Sequence, residues 1–276
     1  MISTSYELNA AIKGVIEGFT EFLPISSTGH LVLVRDLFPL TSDPARVQEL
    51  DNLFDVVIQL PAILAIVILF WRRLLNSTMG VLSSGEARNF WISVISAFIP
   101  AAIIGFALSD KIDLLMQPQI VAYALLIGGV VILAIERWGV AGAIARAEEV
   151  PVAKALRIGL FQCLSIIPGT SRSGATIIGG RFFGLNRIAA AEFSFFLALP
   201  TMLGAFTLKF TKDFHHIVWS TDGPILLIGS ISSFLTAWVV VALFIKYIQK
   251  YSLSVFGWYR IILGTLILFF SASAGS

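Results

Sequence analysis

The chain has 276 residues, of which 57% are hydrophobic and 13% charged, with a formal net charge of +2. Soluble domains average about 25% charged residues, so this composition excludes an ordinary soluble domain and points to an integral membrane protein. No run of Lys or Arg could track a nucleic-acid backbone, and the single Cys163 excludes an intrachain disulfide and a cysteine zinc site.

Residues 1–11 lack the charged start of a cleaved signal peptide and are expected to stay in the mature protein. The first element, residues 8–38, is apolar but too broken to span a bilayer. Its interruption runs from Glu17 through Glu21, Pro24, Ser26, Ser27, Thr28 and Gly29 to His30. Non-helical backbone at membrane depth is tolerated only when buried in protein or lining a cavity, so this segment is expected to be a re-entrant hairpin. Glu17 and Glu21 are four apart and share a helix face. Two buried carboxylates repel and are costly in a membrane. A divalent cation, Mg2+ or Ca2+, suits such oxygen ligands, and Asp51 or Asp55 could add another. Pro24 is expected to end the helix. Ser26, Ser27 or Thr28 can cap the next one, and His30 can move a proton near neutral pH.

Three apolar stretches follow, at about 53–71, 90–109 and 118–136, each long enough to cross a bilayer. Asp55, Gln59 and Pro61 in the first suggest that it faces protein rather than lipid; Pro61 and Pro200 are also candidate helix kinks. Residues 154–186 form a second broken element, with Pro168-Gly169-Thr170-Ser171-Arg172-Ser173-Gly174-Ala175-Thr176 at its interruption. Pro168-Gly169 signals a turn, and Thr170 or Ser171 can cap the helix that follows. A helix start accepts anions, and the Arg172 fork suits phosphate oxygens. Ser171, Ser173, Thr176 and Ser26 are further candidate phosphate ligands. Arg181 and Arg187 read as membrane-edge anchors, and Glu192 as a partner for Arg187 or Lys209. Three more spans are expected at about 190–210, 224–245 and 256–272.

The halves read as a repeat, 1–137 and 150–276, within one membrane domain. Ala11-Ile12-Lys13 matches Ala155-Leu156-Arg157, Pro24 matches Pro168, Ser27 matches Ser171, and Leu60-Pro61 matches Leu199-Pro200. The expected fold is therefore an all-α polytopic membrane protein with six transmembrane helices, two re-entrant helix hairpins and an inverted-topology repeat. Eight basic residues flank one side of the spans. Five (Arg35, Arg46, Lys111, Lys209 and Lys212) flank the other. That bias places 72–89, 137–154 and 246–255 in the cytoplasm and both termini outside. The hairpins would then enter from opposite faces and meet. Ser27 is a possible nucleophile, with His30 as its base or as the acid for the leaving group; the alternative is direct attack by water deprotonated by His30 or Glu21. Arg172 would hold phosphoryl oxygens. A lipid phosphate or pyrophosphate is the substrate that reaches such a site.

These motifs resemble the bacterial undecaprenyl-pyrophosphate phosphatase family, also known as bacitracin-resistance proteins. The family pattern is an acidic pair with three residues between, then Phe-Leu-Pro-x-Ser-Ser-x-Gly-His, and later Pro-Gly-x-Ser-Arg-Ser-Gly-x-Thr. Glu17 to His30 and Pro168 to Thr176 match throughout. The resemblance implies removal of the terminal phosphate of undecaprenyl pyrophosphate, giving the carrier lipid for peptidoglycan synthesis, with dependence on Mg2+ or Ca2+. It implies that Glu17 and Glu21 are the metal- or pyrophosphate-associated acidic pair, that Ser27 is the family's proposed nucleophile, and that His30 is required. Arg172 would be the phosphate-binding arginine. It also implies a bacterial inner-membrane location with a pocket opening to the periplasm. The other class left open is a secondary transporter or flippase for a lipid phosphate or anion, which would need neither Ser27 nor His30 poised for bond cleavage. The outer apolar faces admit either a homodimer or lipid contact.

Overall fold

A computed structural model of the chain describes residues 3–109, 115–139 and 142–274. Lys111, counted above in the charge bias, and the extreme termini lie outside them. The described residues are helical almost throughout, as a hydrocarbon setting demands of any backbone that must satisfy its own hydrogen bonds.

The first half comprises α1 (Ser3–Thr20), α2 (Ser27–Val34), α3 (Val47–Val57), α4 (Gln59–Leu69), α5 (Trp71–Met79), α6 (Gly85–Leu108) and α7 (Pro118–Trp138). The second comprises α8 (Val152–Gln162), α9 (Arg172–Phe182), α10 (Arg187–Asp213), α11 (Trp219–Lys250) and α12 (Ser254–Ala274). Among the described residues, five stretches are long and apolar enough to cross a membrane: Val47–Leu69, Gly85–Leu108, Pro118–Trp138, Arg187–Lys212 and Trp219–Lys250. Ser254–Phe270 is a shorter apolar helix. The protein is thus an all-α polytopic membrane protein.

The expected first span is two helices rather than one. Pro61 lacks the N–H that would bond back to Val57, and the helix turns at Ile58. At the turn, the Ile58 carbonyl accepts from the Ser233 hydroxyl at 2.8 Å. Pro200, by contrast, sits inside an unbroken α10. The most enclosed span is α10, 61% buried against 39% for Val47–Leu69. Phe193, Phe195 and Phe196 of α10 are buried; Phe195 meets Phe22 and Phe244 edge-on, and Phe196 meets Phe70 and Phe90 edge-on. This aromatic centre lies directly behind the two interruptions.

Close helix approach fixes the arms. α1 lies against α11 because Gly14 and Gly18 carry no Cβ; one added at either would come within 2.3 Å of the Gly229 or Ser233 carbonyl oxygen. Lys13 on α1 is buried and pairs with Asp51 of α3 at 2.6 Å. Arg35 approaches both Asp51 (3.5 Å) and Asp55 (3.7 Å). Asp51 is therefore an ion-pair partner of cations rather than a free candidate metal ligand.

Glu192 pairs with neither Arg187 nor Lys209. It binds Arg73 of α5 at 2.7 Å, and Arg73 also binds Glu148. Arg187 instead holds Glu136 of α7 at 2.6 Å. The partner is remote in sequence because Arg73, at the start of α5, reaches α10 over the Phe70 and Phe196 rings.

Candidate phosphate site at the paired tips

The first interruption is a tight turn over residues 21–25. α1 ends at Thr20, four residues before Pro24, so Pro24 closes the turn rather than the helix. Glu21 still bonds through its N–H to the Glu17 carbonyl at 2.9 Å, which keeps the two carboxylates on one side as expected. The turn delivers the chain to Ser26, whose side chain accepts from the Gly29 N–H and starts α2.

The second interruption repeats this construction. Ser171 accepts from the Gly174 N–H at 3.0 Å and starts α9. Among the described residues, Ser26 (φ 74°) and Ser171 (φ 72°) are the only non-glycine residues with positive φ. Such a conformation costs about 1–3 kcal/mol and clusters at functional sites. The local correspondence pairs Ser26 with Ser171 and Ser27 with Arg172. The expected match of Ser27 with Ser171 is off by one, because the second tip holds an extra residue after its proline. Gly169, at φ 91°, accommodates it, and a Cβ there would lie 2.5 Å from the Val121 carbonyl oxygen.

That one-residue shift decides the chemistry. The first position of α2 carries a hydroxyl, and the first position of α9 carries a guanidinium. The Ser27 hydroxyl donates to Glu21 Oε2 at 2.5 Å, and Arg172 Nη2 donates to Glu21 Oε1 at 3.0 Å. Glu21 thus joins the two tips in one continuous chain. Arg172 is further held by the Ser194 carbonyl (2.9 Å) and the Met202 thioether (3.4 Å), with its guanidinium 5.7 Å from the Phe22 ring centroid. Its Nε is buried and has no hydrogen-bond partner.

A cavity of about 230 Å³ opens beside this chain. Glu21, Ser26, Ser27 and Thr28 line it from the first tip, and Ser171 and Arg172 from the second. Four expected site residues lie elsewhere. Ser173 donates to the Leu23 carbonyl at 2.7 Å, and Thr176 lies 2.6 Å from the Ser194 hydroxyl. Both are buried, outside the cavity wall, and their hydroxyls serve protein groups. Ser173 ties the second tip to the first, and Thr176 ties α9 to α10, rather than facing a ligand. His30 bonds to the Ser26 carbonyl at 2.7 Å and to the Tyr259 hydroxyl at 2.6 Å, on the side facing α12. Glu17 is fully buried one turn behind Glu21, and both its carboxylate oxygens lack partners. It lies within electrostatic reach of Glu21, Asp55 and Arg172.

Two residues were missed from sequence. Ser194 anchors Arg172 and Thr176 from α10. Arg260 of α12 is fully buried and donates to backbone oxygens of both tips, Pro24 and Gly169 among them. A lone arginine in an apolar helix was the available signal for the second.

Paired hydroxyl, carboxylate and guanidinium groups facing one cavity suit transfer of a phosphoryl group. The family model described as "Bacitracin resistance protein BacA" matches residues 10–266. An undecaprenyl-diphosphatase 3 of Acinetobacter baylyi is 46% identical over 263 residues, covering 94% of this chain and 96% of that protein. An undecaprenyl-diphosphatase of Pseudomonas putida is 45% identical over 260 residues, covering 94% and 92%. One from Acinetobacter baumannii is 44% identical over 274 residues, covering 97% and 98%. With the match running through both tips and all but the ends of the chain, this protein belongs to the BacA bacitracin-resistance family.

Proposed function

We propose that this chain is an undecaprenyl-diphosphatase of the bacterial inner membrane. It hydrolyses the terminal phosphate of undecaprenyl pyrophosphate to undecaprenyl phosphate and inorganic phosphate, and so recycles the carrier lipid for cell-wall synthesis. The observation that carries this reading is the Ser27–Glu21–Arg172 chain, built from two tips and bordering one cavity.

The chemistry follows from that chain. Ser27 Oγ attacks the terminal phosphorus while Glu21 takes its proton. The anhydride P–O bond breaks, and polyprenyl phosphate leaves. Water then hydrolyses the phosphoserine and restores the Ser27 hydroxyl. The Arg172 guanidinium, on the cavity wall, is a donor for the phosphoryl oxygens and stabilises charge that builds in the transition state. In the alternative, Glu21 activates water directly and Ser27 orients it. Ser26 and Ser171, on the cavity wall, are the other candidate contacts for phosphate.

Glu17 and Glu21 are the residues that would hold a divalent cation, Mg2+ or Ca2+. The orphaned, buried oxygens of Glu17 and the hard-oxygen donor set fit such an ion. Among the described residues no set of three or more His, Cys, Asp or Glu side chains is grouped to hold a metal, so water and pyrophosphate oxygens would complete its shell. When bound, the ion would neutralise pyrophosphate charge.

The finer architecture proposed is six spans, with α12 as the sixth, two re-entrant hairpins and an inverted repeat of 1–137 and 150–276. The cavity then opens to the periplasm with both termini on that side. The matching serine caps at the two tips and the bias of flanking basic residues support it. Labelling of single cysteines at positions 80 and 115 tests it: they should react from opposite sides, and labelling from one side refutes it. A homodimer packed through the outer apolar faces is compatible with this arrangement.

The function itself is tested with purified protein in detergent and a long-chain polyprenyl pyrophosphate. Release of inorganic phosphate with formation of the monophosphate lipid is expected, lost on adding EDTA. Lipid movement across vesicles without phosphate release would refute it.

A further inference from the structure

We infer that Tyr259 and Arg260 of α12 are positioning residues for the proposed hydrolysis, a clamp that sets the register of both tips; the inference rests on the phosphatase reading above.

Arg260 is fully buried, and each of its N–H groups is used. Nη1 donates to Pro24 O (3.1 Å) and Thr170 O (2.9 Å). Nη2 donates to Gly169 O and Ala124 O, both at 3.0 Å, and Nε donates to Leu125 O at 3.3 Å. Three of these five carbonyls belong to the turns that carry Ser27 and Arg172. A sharp turn after a proline leaves carbonyls that no helix N–H can reach, and in a membrane each orphan costs several kcal/mol. A rigid five-donor fork reaches them all from one point, whereas an ammonium has three donors and no fixed plane. The first tip and the second are thereby held through one side chain, whose other bonds fix it to α7.

Tyr259, the preceding residue, acts on the first tip alone. The Ser26 carbonyl can only accept, so the Nδ1 of a neutral His30 carries the hydrogen. Its Nε2 lone pair then accepts from the Tyr259 hydroxyl. The two rings lie nearly parallel, 8° apart, with centroids 5.7 Å apart. Tyr259 thus fixes His30, His30 fixes the carbonyl of Ser26 in its positive-φ conformation, and Ser26 precedes Ser27. His30 works in this arrangement through the backbone rather than by touching phosphate.

The test compares Arg260→Lys, Tyr259→Phe and a control, Trp258→Phe, whose ring is exposed on the outer face of the same helix. Steady-state hydrolysis of polyprenyl pyrophosphate is measured for each, normalised to folded protein, together with the 15N spectrum of His30. Misplacing reacting groups by about 1 Å costs about a hundredfold, and loss of a supporting contact about tenfold. Arg260→Lys should therefore lower kcat about a hundredfold and Tyr259→Phe about tenfold, with KM within about twofold of the parent. The parent should show the Nδ1–H tautomer, and Tyr259→Phe should redistribute it. Trp258→Phe should leave kcat unchanged. If Arg260→Lys does not fold, Tyr259→Phe decides. Parental kcat in the folded variants, a loss confined to KM, or an equal loss in Trp258→Phe would overturn the clamp. A parent that releases no phosphate would instead overturn the phosphatase reading.

Discussion

The two tips share a backbone and differ in chemistry. Each has a serine cap at positive φ and a glycine three residues on whose N–H the cap accepts. At the first helical position, one tip presents Ser27 and the other Arg172. The first tip also carries two carboxylates on its incoming arm, Glu17 and Glu21, whereas the second carries none there. In the proposed reading, the first tip would supply the nucleophile and the metal ligands, and the second would grip an anion. Neither makes a phosphatase alone, because the carboxylate that binds the Ser27 hydroxyl is the one that anchors Arg172.

The largest expected effect comes from the first tip. Ser27→Ala should lower kcat by about a thousandfold or more while lipid pyrophosphate still binds, since removal of a nucleophile that acts with its partners is costly. Single-turnover assay beside equilibrium binding of the lipid checks this. Residual turnover within tenfold of the parent would shift the first tip's role from nucleophile to water-orienting group, which sharpens the comparison without removing it.

A smaller effect separates the two carboxylates. Glu17→Gln keeps the shape of a buried side chain but weakens an oxygen donor. The Mg2+ concentration for half-maximal activity should rise about tenfold, on the scale of weakened metal-site contacts. Titration of phosphate release with Mg2+ reads it. An unchanged midpoint would remove the metal from the first tip.

The smallest effect on turnover should come from the foot of the first arm. Asp51→Asn leaves the buried Lys13 without its carboxylate. Breaking one side of a buried pair costs about 3–5 kcal/mol of stability. The thermal midpoint should fall, with kcat per folded molecule within about twofold, because Asp51 lies behind Glu17 rather than on the cavity wall. A loss of kcat without a loss of stability would extend the first tip's chemistry down to Asp51.

Much of this contrast was legible in sequence. The four-residue spacing of Glu17 and Glu21 placed them together, and Pro-Gly before a Ser-Arg-Ser cluster marked a capped helix start. Ser27, Glu21 and Arg172 were named as one site, and the structure links them directly. The register between the tips was not legible, since aligning proline on proline hides the extra residue that Gly169 absorbs. Ser173 and Thr176 read as phosphate ligands because hydroxyls at a helix start face either way, and only the neighbouring α10 and Leu23 carbonyl decide. Ser194 lies 18 residues beyond Thr176 and Arg260 much farther along the chain, and only helix packing brings them in. His30 was expected beside the carboxylates, but Tyr259 from α12 supplies the partner that turns it aside.

The most direct test of a single shared site is a double-mutant cycle across the tips. Phosphate release from polyprenyl pyrophosphate is measured for Glu21→Ala, Arg172→Ala and the double variant. If Glu21 and Arg172 act as one unit, the double variant should lose about as much kcat as the worse single variant, the singles each losing about a hundredfold or more. Losses that multiply in the double variant would contradict the account and assign the two tips to separate tasks.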